Sequence, residues 1–65
     1  MEYNVFKKLK LNKQGFLPCV VIRTGEEGKI ININHKGDGL LIKYKKHGFL
    51  GFQEEWFNYT EIATW

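Results

Sequence analysis

Cysteine and proline are almost missing from this chain. Cys19 is the only cysteine among 65 residues. An intrachain disulfide is therefore excluded, and with it the stapled secreted mini-protein. The single proline, Pro18, leaves no Pro-rich linker. Arginine is equally scarce: nine of the ten basic residues are Lys and only Arg23 is Arg. That argues against base-specific readout, which suits the guanidinium fork better than an ammonium. No apolar run approaches the roughly eighteen residues that mark a membrane span, and no signal-like segment opens the chain. A cytoplasmic protein without a membrane partner is the expectation.

What is present suits a small folded unit. The chain is 43% hydrophobic and 15% aromatic, which excludes intrinsic disorder. A domain near this size buries only about 60% of the surface its unfolded chain exposes, so its core is thin. Large rings partly offset that, because each buries far more area than Val or Ala. One domain over residues 1–65 is expected, with a barrel over about residues 16–62.

The charge leans basic, with ten Lys and Arg against seven Asp and Glu and a formal net charge of +3. Lys7, Lys8, Lys10 and Lys13 form one cluster, and Lys36, Lys43, Lys45 and Lys46 a second that only Asp38 interrupts. Acidic residues gather at Glu26, Glu27, Glu54, Glu55 and Glu61. Such a balance favours anionic partners, while the bland alternative is a set of charges that keeps a small barrel soluble and protects its edges.

Along the chain, Met1 to Lys13 fits two templates. Tyr3, Val5, Leu9 and Leu11 share strand parity, whereas Val5, Phe6 and Leu9 share a helical face. Leu17 to Arg23 is a β-branched run in which Pro18 demands a strand start or an edge. Thr24 to Gly28 reads as a turn with glycines available for positive φ at both ends. Lys29 to Asn34 then places Ile31 and Ile33 on one face and Asn32 and Asn34 on the other. His35 to Gly39 ends in Asp-Gly, a strong hairpin signal. Leu40, Ile42 and Tyr44 alternate with Leu41, Lys43 and Lys45. Phe49 to Gln53 reads as an aromatic strand bent at Gly51, Glu54 to Phe57 as a single 3-10 turn, and Asn58 to Ile62 as a last strand. The resulting core is Val21, Ile31, Ile33, Leu40, Ile42, Phe49 and Ile62. Short strands with turns every eight to twelve residues predict an all-β fold, a strongly bent five-stranded sheet with one 3-10 turn before its last strand.

From Leu17 to Ile62 this order resembles the SH3-like small β-barrel, a superfold that hosts many functions. Gly25-Glu26-Glu27-Gly28-Lys29-Ile30 is similar to the turn-and-strand of KOW-type ribosomal and transcription modules. The peptide-binding members of the superfold imply an acidic, aromatic-rich first loop, a Trp pair and a Pro-containing turn. Here the first loop is only Thr24 to Gly28 and no Pro lies near Trp56, which speaks against polyproline recognition.

Candidate chemistry is sparse. Cys19, His35 and His47 lack any metal-ligand spacing, and no cofactor is implied. Cys19 lies in an apolar run where burial raises a thiol's pKa and keeps it inert. Glu54 and Glu55 are adjacent and point apart on an extended segment, so no catalytic pair is expected and the protein is not read as an enzyme. The aromatics are the remaining signal. Phe49, Phe52, Trp56, Phe57 and Tyr59 fall within eleven residues, with Trp65 close behind, more rings than one narrow core can hold. The expected function is a non-catalytic interaction module that meets a protein partner through Phe52, Trp56, Tyr59 and Trp65. The alternatives are a nucleic-acid-binding barrel that uses Lys36, Lys43, Lys45 and Lys46, a small inhibitor that occludes a partner's site, and a homodimer through an edge strand or the rings.

Overall fold

The β-branched and alternating segments pair into one open antiparallel sheet in this computed structural model, which describes residues 1–45, 48 and 50–64. Of the residues singled out above, Lys46, His47, Phe49 and Trp65 lie outside the described residues. The elements are a one-turn helix α1 (Tyr3–Phe6) and strands β1 (Leu17–Val21), β2 (Glu26–Asn34), β3 (Gly39–Tyr44) and β4 (Gln53–Asn58). A 3-10 turn (Tyr59–Glu61) and a short β5 (Ile62–Ala63) complete them. The strand order is β4-β3-β2-β1-β5. The expected all-β architecture of five strands with a 3-10 turn before the last is therefore present, as an open sheet with β4 and β5 at its edges.

One face of that sheet makes the core. Cys19, Val21, Ile30, Leu40, Ile42, Tyr44 and Ile62 are buried together with Phe6. Ile31, expected inside, is only half-buried, and Ile30 takes its place. The reason is a register slip: Ile30 pairs with Ile42, whereas Asn32 pairs with Leu41 and Ile33 with Leu40. Ile31 is thus the extra residue of a bulge, and the parity of β2 reverses across it. Ile33 returns inward and packs against the core.

Other boundaries move for equally local reasons. Glu54 to Phe57 is strand, because Gly39 to Tyr44 pairs residue by residue with Asn58 to Gln53, and Phe57 sits opposite Leu40 against the core. The 3-10 turn begins later, where Asn58 caps it. The Asn58 Oδ1 accepts from the Thr60 amide at 3.0 Å, and the Asn58 amide donates to Glu61 Oε2 at 3.1 Å. Phe52 precedes β4 and is not part of it, since Gly51 turns the chain at φ +84°. β1 ends at Val21, ahead of the exposed Ile22. Pro18 lies ahead of Val20 and Val21, the two residues that pair with β5, so its missing donor falls outside that pairing. Gly28 is in β2 and not at a turn. Between Cys19 and Tyr44 in the pairing, it has no room for a side chain: a Cβ there would stand 2.9 Å from the Lys43 carbonyl oxygen.

The first residues take the helical template and join the core. Phe6 stacks on Tyr59 with ring centroids 4.6 Å apart and planes 11° apart, and meets His35 edge-on at 5.1 Å. His35 Nε2 lies 3.1 Å from the Phe6 carbonyl oxygen, so in this bond the nitrogen donates. The Met1 ammonium donates to the Ile62 carbonyl oxygen at 2.6 Å. Phe6 was absent from the expected core, although it is among the most deeply buried side chains.

Candidate binding surface

Among the described residues no helix or strand covers the other face of the sheet, and its side chains follow from register. Glu54 stands opposite Lys43, Lys43 opposite Lys29, and Lys29 opposite Pro18. One row across four strands therefore carries two lysines side by side. Directly opposed like charges destabilise a sheet. Each ammonium here rests over a phenyl ring: Lys29 Nζ is 4.6 Å from the Phe16 centroid and Lys43 Nζ is 5.5 Å from that of Phe52. Cation–π attraction partly offsets the repulsion.

Phe16, just before β1, and Phe52, just before β4, bracket an open depression of about 550 Å³. Pro18, Lys29, Ile31 and Lys43 line it, with Lys45 and Glu27 beside them. The bulge that displaces Ile31 from the core is what delivers an apolar side chain to this depression. In the neighbouring row Trp56 stands opposite Leu41, and Leu41 opposite Asn32. Trp56 is 51% exposed and Phe52 67%. A Cβ on Gly39 would come within 3.2 Å of the Trp56 ring, so the indole lies close over the β3 backbone.

The residues singled out from the sequence are thus divided. Phe52 and Trp56 share the uncovered face. Tyr59 sits with the core, stacked on Phe6 and 6.0 Å from the Tyr3 ring. Lys43 and Lys45 line the depression, whereas Lys36 is in the β2–β3 hairpin loop, at the opposite end of β3 from Lys45. Phe16 and Lys29 were not among the candidates. Lys29 has the same outward parity as Lys43 once the hairpin register is known, but Phe16 offers no signal in the sequence.

The titratable groups that do shift are in the core. Burial pushes the Cys19 thiol up to about 11, and the Gly28 backbone hydrogen bond opposes this only in part. Burial also raises Tyr44, helped by the hydrogen bond that its hydroxyl donates to Glu55 Oε1 at 3.1 Å. Among the described residues no group of three or more His, Cys, Asp or Glu is placed to hold a metal ion. No helix among them is long and apolar enough to cross a membrane. In comparison with known proteins, no family model, no curated protein and no solved structure matches this chain.

Proposed function

We propose that this protein acts by binding a protein partner, without catalysis, and that the uncovered face of its sheet is the contact surface. The observation that carries this reading is the placement of Phe16, Phe52 and Trp56 around one face with Ile31 and Leu41 between them. Aromatic anchors around an apolar floor are the groups that dominate protein interfaces. An inert buried thiol supports the non-catalytic half of the reading. The accompanying fold assignment is an open variant of the SH3-like small barrel. Its support is the place of β1 between β2 and β5, and the 3-10 turn that leads into β5.

Affinity capture from the source cell tests the reading, with the full chain compared against Phe52→Ala and Trp56→Ala. Both side chains are exposed, so both variants are expected to keep the wild-type melting profile. Loss of the same captured protein with either variant is the expected result. Equal recovery by all three chains would remove this face from the function.

A further inference from the structure

We infer that the depression between Phe16 and Phe52 receives an extended acidic peptide segment with one apolar anchor residue. This deepens the binding reading and rests on it. Lys29 and Lys43 stand opposite each other on this face, with the Lys29 ammonium over Phe16 and the Lys43 ammonium over Phe52. The two charges therefore flank the depression, and carboxylates spaced along one extended segment can meet each of them. Lys45 lies beside the same depression and extends the positive surface past the end of β3.

Charge pattern and ring exposure separate a peptide from a polyphosphate. A nucleic-acid strand is anionic along its whole length, and here it would meet Glu27 in the depression and Glu54 at the end of the lysine row. A peptide alternates carboxylates with backbone N–H donors, and those donors can face the two glutamates. Single-strand binding also depends on bases stacking on free ring faces. One face of Phe16 and one face of Phe52 already carry a lysine ammonium. A carboxylate needs no such face, since it binds the ammonium where it stands. The apolar anchor follows from Ile31 and Pro18, which line the depression and offer it no hydrogen bond from a side chain.

Fluorescence anisotropy with the full chain at low salt tests this. The probes are a short labelled peptide in which Asp and Glu alternate with Ser around one central Phe, the same peptide with Gly for Phe, and labelled oligothymidylate. The Phe-containing acidic peptide is expected to bind, more weakly as salt rises. Gly in place of Phe is expected to cost about tenfold in Kd, the order of one lost anchor. Lys29→Glu, which puts a carboxylate in the path of the peptide and should fold at least as well, is expected to weaken binding by at least about tenfold. Tighter binding of oligothymidylate than of the peptide would overturn the assignment in favour of nucleic acid. Failure of every probe would overturn it outright. A captured protein that survives Lys29→Glu but is lost with Trp56→Ala would also overturn it, while leaving the binding reading intact.

Discussion

The two faces of the sheet are made by the same strands, yet they have met different fates. On one, Ile30, Leu40 and Ile42 are fully buried under Phe6 and its stacking partner Tyr59. On the other, Lys29, Lys43, Trp56 and Leu41 face outward from residues that alternate with those core positions. A strand sends half its side chains each way, and α1 and the 3-10 turn pack on one side of the sheet through Phe6 and Tyr59. The covered side carries the stability. The uncovered side carries the directly opposed like charges of Lys29 and Lys43, an arrangement that adds no stability to a sheet.

The sharpest way to break this comparison is to open the covered face. Phe6→Ala should cost about 3–5 kcal/mol, the usual range for removing a buried phenyl ring. In a domain at the low end of about 5–15 kcal/mol of total stability, that leaves a partly unfolded chain at room temperature. Urea denaturation followed by far-ultraviolet dichroism measures it. An unchanged midpoint would mean that the first residues do not belong to the core.

A smaller effect on the same face comes from pH. The Cys19 thiol ionises near 9.0 when free and at about 11 in the folded protein. Below 9 both states hold the proton, and the shift has no effect. Between 9 and 11 the unfolded chain releases it while the folded chain keeps it, so stability falls as pH rises. The loss is about 2–3 kcal/mol across that window, and Tyr44, raised from its ordinary value of 10.0, adds to it once the pH passes 10. Cys19→Ala should flatten the part due to the thiol. Equal slopes for the two chains in parallel urea titrations from pH 8 to 11 would sink the assignment.

The smallest effect sharpens the comparison from the uncovered side. Lys29→Glu converts a like-charge pair with Lys43 into an opposite-charge pair and should raise stability by about 0.2–1 kcal/mol. Thermal melting at low salt would show a slightly higher midpoint, and that gain should shrink as salt is added. A lower midpoint would mean that Lys29 stabilises the sheet through its contact with Phe16 and is not held there for a ligand. On the covered face no comparable substitution is expected to stabilise, because the side chains there are already packed.

Much of the covered face was legible from residue type and alternation. Leu40, Ile42 and Tyr44 are spaced for one side of a strand and all three are buried. Asp38 and Gly39 mark the hairpin, with Asp38 in the left-handed region at φ 55°, a conformation Asp accepts more readily than most residues. The apolar run around Cys19 made an inert thiol the natural reading. Asn58 and Glu61 already carried the spacing of a capping box, so the true start of the 3-10 turn could have been read there.

Residue type and alternation thus carried the strand-rich composition, the β2–β3 hairpin and half of the buried residues, Val21, Leu40, Ile42 and Ile62. Each of these depends on neighbours a few positions away. Only the tertiary structure decided that Ile30 and not Ile31 points inward, because a period of two carries no mark of the one-residue slip that reverses it. It alone brought Phe6 against Tyr59 and His35, contacts between residues far apart in the chain that no local pattern encodes. The face with Lys29 opposite Lys43 and a phenyl ring under each was likewise decided by register. Register is a property of paired strands, and a shift of one residue would have sent those ammonium groups to the other side.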